Sequence, residues 1–367
     1  MKITILREVR NVVKSAYIHI PFCKNICSYC DFCKFYYKKE WINSYLDSLE
    51  TEIKKDYKGE ELNTLYIGGG TPSSLSLDEL KRLFEITKMF KLNNEYEFTI
   101  EFNVEDIDEE KLLLCKNSKV NRISIGVESF NKINLEFLER RQGDYESKIK
   151  LAKKYFDNIN IDLIYALPNE SKEVLINDLD KILELDIPHI SCYSLILEEH
   201  TKLFIRKIVP IDEEIDYEMY KIINDKLIEY NHYEISNYSK EGYESKHNLN
   251  YWYNNEYYGF GCGASSYIGN SRRNNSRSIN KYLNKIYRYE EEYIDIDKKI
   301  SYELILGFRK TKGINIEEFR KEYNRDIKDL YNVRELVDDK KLIIENGYIF
   351  VNSKYLYIEN EILVNFL

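Results

Sequence analysis

Tyr17-Ile18-His19-Ile20-Pro21-Phe22-Cys23-Lys24-Asn25-Ile26-Cys27-Ser28-Tyr29-Cys30-Asp31-Phe32-Cys33 is the stretch from which the fold is read. It opens as a short apolar run of strand character and passes through Pro21 into a loop with four cysteines in eleven residues. The first three have the spacing C-x3-C-x2-C. Thiolates are the ligands of iron–sulfur clusters. Three on one loop hold three corners of a cubane and leave the fourth iron without a protein ligand, the open position that separates reactive from structural metal sites. Structural zinc competes with this reading, although the spacing lacks the paired C-x2-C knuckles of that role, and so does plain burial of small apolar side chains. Cys33 is read as a non-ligand, and the isolated Cys115, Cys192 and Cys262 as core residues.

Working outward, short apolar runs alternate with helix-like stretches. Strands are expected at Ala16–Ile20, Thr64–Ile67, Glu97–Phe102, Arg122–Gly126, Asn160–Ile164 and Ile190–Leu195. Helices are expected at 40–55, 77–90, 109–116, 145–156 and 173–185, with Ser76 and Glu79 forming a capping-box signature. Strand–helix–strand repeated about six times implies a parallel sheet with right-handed crossovers, open or closed into a partial barrel. The loops after the strand C-termini then form the expected active face. Cys23, Gly68–Thr71, Glu101, Glu128 and Asp162 all fall on or near that face.

Beyond about residue 200 the alternation stops. A helix is expected over Asp212–Tyr230, followed by a Tyr-, Asn- and Gly-rich block at 233–267. From Ile300, helices near 302–308, 316–323 and 327–340 lead into a hairpin at 342–351 turning on Asn346-Gly347, a type I′ signal. The reading is thus an α/β chain in three parts: a parallel-sheet unit, open or a partial barrel, over 1–200, an extension over 201–299 and a small winged-helix-like α+β unit over 300–367.

Composition bounds the partners. Lys plus Arg number 54 and Asp plus Glu 63, a formal charge of −9, in a chain that is 43% hydrophobic. An acidic chain argues against nucleic acid as a general partner, because that binding draws its affinity from phosphate neutralisation. The short cluster Arg272, Arg273 and Arg277 reads as a solvated loop. Met1 to Lys14 is charged and no apolar core of signal-peptide length follows it, nor does any run approach a membrane span. These features, with seven cysteines suited to a reducing compartment, set the expectation of a cytoplasmic protein, with peripheral membrane association only through a partner.

The cysteine segment resembles the cluster motif of radical S-adenosylmethionine (SAM) proteins. Its flanks, Tyr17-Ile-His-Ile-Pro-Phe-Cys23 and Tyr29-Cys-Asp-Phe32, are similar to those of the oxygen-independent coproporphyrinogen III oxidase family. The likeness continues in Gly68-Gly-Gly-Thr-Pro72, in Arg122-Ile-Ser-Ile-Gly-Val127, in Ile161-Asp-Leu-Ile-Tyr165 with Leu167-Pro168, and in the 233–267 block. It implies a partial (β/α)6 barrel of the radical SAM kind, a [4Fe–4S] cluster on Cys23, Cys27 and Cys30, and an electron donor.

By the same resemblance Gly69, Gly70 and Thr71 hold the methionine end of SAM, and Tyr17, Tyr29, Glu101, Glu128, Arg140 and Asp162 line its pocket. Each has a plainer reading. The glycines suit any tight turn, Tyr17 suits strand packing, Glu101 suits a solvated strand end, and Arg140 suits a surface ion pair, with Arg141 as a rival beside it. Asp162, between apolar neighbours, needs a partner in any case. His19 is read as structural. Three departures from the family stand out: Glu128 where glutamine is usual, Ala166 where glycine is usual, and Ser265 where histidine is frequent.

Two groups within the family differ in activity: porphyrinogen oxidases and haem chaperones. The cysteines begin 23 residues in, short of the oxidases' N-terminal arm, and His247-Asn248-Leu-Asn-Tyr251-Trp252 resembles the H-N-x-x-Y-W signature of the chaperones. The resemblance makes His247 the haem-binding candidate, consistent with haem iron accepting imidazole and aromatic rings packing on a porphyrin face; a hydrogen-bonded histidine that stabilises its loop is the rival reading. The expectation is a haem chaperone with haem as cargo and an unidentified haem-acceptor protein. Anaerobic oxidative decarboxylation of coproporphyrinogen is the alternative, with a zinc-containing regulatory protein third.

Overall fold

The structure is a computed structural model that describes residues 12–367. Residues 1–11, part of the charged N-terminal stretch and of the arm comparison above, lie outside the described residues. The chain forms two compact units, each assembled from two separated segments. One comprises the segment ending at Lys226 together with Glu256–Glu292, and the other comprises Leu227–Asn255 together with Tyr293–Leu367.

The first unit is built on seven parallel strands: β1 Ser15–Ile20, β2 Glu61–Gly69, β3 Lys91–Asn103, β4 Arg122–Glu128, β5 Asn158–Tyr165, β6 His189–Ser194 and β7 Tyr258–Phe260. Their order is β7-β1-β2-β3-β4-β5-β6. The six strands expected from sequence are all present, paired in parallel. Ile18, Ile67, Ile100, Ile123, Ile125 and Ile161 are fully buried, as strands covered on both faces require. Each such side chain contributes about 1.5–3 kcal/mol of transfer free energy.

Helices Lys39–Asp56, Leu77–Thr87, Glu109–Asn117, Tyr145–Lys153 and Lys172–Glu184 form the crossovers. The Ser76–Glu79 capping box closes in both directions. The seventh strand was not expected. Tyr258-Gly259-Phe260 is only three residues long and sits in a Tyr- and Gly-rich block, yet it pairs Ala16 with Tyr258 and Ile18 with Phe260. Gly259 is required there, because a Cβ would lie 1.7 Å from the Ser265 carbonyl oxygen.

The second unit carries the helix Lys246–Trp252 and a terminal set of helices, Ile296–Phe308, Ile316–Tyr323 and Tyr331–Asp338, followed by the hairpin Leu342–Glu345 and Tyr348–Val351. Asn346 and Gly347 both have positive φ, 49° and 81°, as a type I′ turn demands. The first terminal helix starts earlier than expected because Asp295 caps it through the Lys298 N–H. The stretch 327–340 splits at the extended Leu330. No helix among the described residues is long and apolar enough to cross a membrane.

Candidate functional site

The cysteine loop leaves the sheet at the C-terminal end of β1. Its base is closed by a two-residue parallel pairing of Phe22–Cys23 with Phe35–Tyr36, and the Tyr37 N–H donates to the Cys23 carbonyl at 2.8 Å. Its middle is tied down where the Ser28 N–H and hydroxyl donate to the carbonyls of Leu138 and Phe137 at 3.1 and 3.0 Å. Cys23, Cys27 and Cys30 are free thiols. Burial pushes Cys23 up to about 12, against a hydrogen bond from the Thr71 hydroxyl at 3.5 Å, and negative charge on Cys30 or Cys27 raises it further. Burial likewise raises Cys30.

Cys30 and Cys27 lie close enough for their charge to act on Cys23, and a bound metal would displace the protons of all three sulfurs. They are not drawn to metal-binding distance of one another: among the described residues no three His, Cys, Asp or Glu side chains form such a set. The donor set nonetheless fits an anionic thiolate cluster. It is free of disulfides and held on one closed loop, and the buried Arg140 guanidinium lies beside it, with Nη1 3.7 Å from Cys27 Sγ.

The turn after β2 is packed too tightly for any side chain. A Cβ on Gly68 would meet the Glu101 carboxylate at 2.7 Å, one on Gly69 the His19 ring at 2.8 Å, and one on Gly70 the Cys23 sulfur at 2.8 Å. Gly69 also has φ +124°, a conformation that L residues rarely adopt. This brings bare backbone against the cysteine loop, and Thr71 faces both Cys23 and Asn103, whose amide donates to the Thr71 hydroxyl at 3.4 Å.

Along the strand ends runs a belt of carboxylic acids. Glu101 accepts from the Tyr66 hydroxyl at 2.8 Å and from the Gly69 N–H at 3.0 Å, and burial pushes it up to about 7, with the Asp162 charge adding to the rise. Glu128 is also pushed up to about 7 by burial, opposed by Arg140, whose Nη2 lies 3.9 Å from it. Burial raises Asp162 as well, although it accepts from Asn160 Nδ2 at 2.9 Å and from the Ser124 hydroxyl at 3.3 Å.

Arg140 anchors the belt. Nη1 donates to Asn103 Oδ1 at 3.0 Å and Nη2 to the Gly126 carbonyl, while the buried Nε has no hydrogen-bond partner. Tyr29 packs against Leu138, Ile164 and Leu167 and lies close enough for the charges of Glu128, Cys27 and Arg140 to act on its phenol. Tyr17 reaches the belt through His19, whose Nδ1 is 2.9 Å from the Tyr17 hydroxyl.

The structure thus brings together Tyr17, Tyr29, Gly69, Gly70, Thr71, Glu101, Glu128, Arg140 and Asp162 beside the three cysteines. It adds Tyr66, Asn103 and Asn160, which the sequence did not single out. Tyr66 and Asn160 sit inside strands, where only the period-2 alternation that puts them on the same face as Glu101 and Asp162 would have flagged them. The backbone is strained at the same place: Glu128 has φ +65° and Ala166 φ +62°. The family's usual glycine at 166 would adopt that angle without the roughly 1–2 kcal/mol an L residue pays.

His247 lies in the second unit, in the first turn of Lys246–Trp252 behind the Ser245 cap. It is buried, with Nε2 2.8 Å from the Tyr251 hydroxyl and its ring edge-on to the Tyr251 ring at 5.0 Å. The far end of the helix is less settled. The Arg309 guanidinium sits over the Trp252 ring at 5.1 Å, and the buried Trp252 Nε1 has no hydrogen-bond partner.

Set beside known proteins, residues 17–182 match the Radical SAM superfamily and residues 297–354 the HemN C-terminal domain. The chain is 40% identical to "Heme chaperone HemW" of Lactococcus lactis subsp. lactis (strain IL1403), over 96% of this chain and 97% of that one. It is 36% identical to the protein of that name from Bacillus subtilis (strain 168), over 97% and 99%. In structure it superposes on the coproporphyrinogen III oxidase HemN of Escherichia coli, a radical SAM enzyme, with a TM-score of 0.86 over 98% of this chain and 91% of that one. At 21% identity that is a likeness of fold. Identity of 40% along nearly the whole of both chains, on a radical SAM fold whose rim gathers these residues, shows that the chain belongs to the heme chaperone HemW family of radical SAM proteins.

Proposed function

We propose that this chain binds haem as cargo and delivers it to a haem-acceptor protein, with a [4Fe–4S] cluster on Cys23, Cys27 and Cys30 and SAM on the adjoining rim. The observation that carries the reading is the end-to-end identity with relatives named as heme chaperones. When bound, the cluster and SAM together supply one-electron chemistry, fed by an electron donor.

The chain's own residues do the rest. Gly69 and Gly70 let the backbone lie directly against His19 and the Cys23 sulfur, and Thr71 offers a hydroxyl there. SAM carries a sulfonium and an ammonium. Glu101, Glu128 and Asp162 are acids that pay to ionise in this belt, and a bound cation would offset that cost. Arg140 has a buried, unpaired N–H, a natural partner for a ligand carboxylate. On the haem side His247 is the candidate axial donor, and its Nε2 must leave Tyr251 before it can meet iron.

The test is anaerobic reconstitution followed by haem titration. Iron and sulfide should each reach about four per chain, as a cubane requires. SAM should bind to that form, and haem should bind near one per chain with a shifted Soret band, persisting in the cluster-free protein. Absence of haem binding in protein with an intact cluster would contradict the proposal.

A further inference from the structure

Two cysteines outside the cluster set face each other in the first unit. Cys33 Sγ and Cys262 Sγ are 3.8 Å apart, although 229 residues separate them in sequence. A disulfide needs about 2.05 Å, so the sulfurs must close by roughly 1.8 Å. The backbones are already pressed together. Gly263 has φ +81°, and a Cβ there would lie 2.5 Å from Cys33 Cβ. A ring of hydrogen bonds fixes both residues: His19 Nε2 is 2.7 Å from the Cys33 carbonyl, the Tyr45 hydroxyl donates to the His19 carbonyl at 2.7 Å, and the Cys262 N–H donates to the Tyr45 oxygen at 3.0 Å.

We propose that Cys33 and Cys262 are a redox dithiol, a modification site that closes to an intrachain disulfide on meeting a small hydroperoxide. The two thiols are unequal. The contact between the two sulfurs, with His19 assisting, holds Cys33 below the usual thiol range and pushes Cys262 up, and Cys33 is also the more accessible of the two, 7% exposed against 0%. Cys33 is the attacking sulfur and Cys262 the resolving one. Cys33 thiolate takes the terminal oxygen of the peroxide, giving a sulfenic acid and releasing hydroxide or alkoxide, which is protonated. Cys262 then attacks that sulfur, its proton leaving with the hydroxyl as water. Two thiols lose two electrons and two protons, and the peroxide is reduced to water, or to water and an alcohol. The oxidant must be small because Cys33 is 7% exposed and Cys262 is fully buried. The product clips the end of the cluster loop to the turn after β7, which leaves Cys23, Cys27 and Cys30 outside the bond.

The experiment treats the cluster-loaded protein anaerobically with increasing hydrogen peroxide, from below one equivalent per chain, blocks free thiols by alkylation and maps the peptides without reduction. The first cross-link to appear should join the Cys33 and Cys262 peptides and vanish with dithiothreitol. In Cys262→Ala, dimedone should label Cys33. Either of two results in the unsubstituted protein overturns the proposal, whether or not the variant folds: Cys33 and Cys262 both still alkylated after oxidation, or Cys33 linked first to Cys23, Cys27 or Cys30.

Discussion

The rim of the parallel sheet and the helix that carries His247 treat their polar groups in opposite ways. At the rim, Glu101, Glu128 and Asp162 are raised by burial, Arg140 keeps an unpartnered N–H, Glu128 holds a left-handed backbone angle, and Gly68–Gly70 leave no room for a Cβ. At Lys246–Trp252 the helix start is settled within itself: Ser245 caps it and His247 bonds to Tyr251. Strain and unmet hydrogen-bonding capacity mark where a ligand would repay the fold. By that measure the rim is ready for its ligand as it stands, and the His247 end must first open. Ligand-free, the rim should cost stability, and the helix start should add to it.

The largest effect should come from the thiols beside the rim. Cys23→Ala, Cys27→Ala or Cys30→Ala should take reconstituted iron from about four per chain to near none, measured by iron and sulfide analysis, while Cys33→Ala keeps it. Loss of the cluster in Cys33→Ala would put a fourth cysteine into the ligand set.

Next comes the glycine turn. Gly69→Val combines a positive φ with a contact at 2.8 Å on the His19 ring. SAM affinity of the cluster-loaded protein should fall at least tenfold, about 1.4 kcal/mol or more, by equilibrium binding. Unchanged affinity would mean that SAM does not use this backbone.

The belt of acids sharpens the comparison through pH. Glu101 and Glu128 titrate near 7 in the folded protein, against about 4.3 unfolded. The folded state therefore holds more protons between those values, and stability falls as pH rises through that window. Binding of the SAM cation should run the other way. Ionised Glu101 favours it, so affinity should rise on the order of tenfold from about pH 6 to 7.5, and Glu101→Gln should flatten the profile. A profile that is equally steep in the variant would remove Glu101 from the site.

Much of this arrangement was legible in the sequence. Six strands, the capping box at Ser76 and the turn at Asn346-Gly347 announce themselves through local periodicity and turn chemistry, which is where local signals are strong. What the sequence hid is non-local. Tyr258–Phe260 becomes a strand only because β1 offers an edge, and three residues carry no period of their own. The 3.8 Å approach of Cys33 to Cys262 depends on that same pairing. Tyr66 and Asn160 looked like ordinary strand residues until the register set them beside Glu101 and Asp162. The interleaving of 227–255 with 293–367 into one compact unit also has no local signature. Within the site, burial separates Arg140 from Arg141, as adjacent letters cannot: Arg140 is buried and bonded to Asn103, whereas Arg141 is exposed.

The smallest effects test the closed region. Tyr251→Phe removes the hydroxyl that holds His247 Nε2. It should lower stability by about 0.5–1.5 kcal/mol and leave the haem spectrum intact, whereas His247→Ala should shift the Soret band by removing an axial donor. Identical spectra in both variants would assign His247 to holding its helix and move the axial ligand elsewhere.

The central claim, haem as cargo rather than porphyrinogen as substrate, is tested most directly by presenting both ligands to one preparation. Anaerobically reconstituted protein, with SAM and an electron donor, should bind haem near one per chain and leave coproporphyrinogen III unchanged. Multiple-turnover formation of protoporphyrinogen by that same preparation would contradict the claim and make the protein an oxidase.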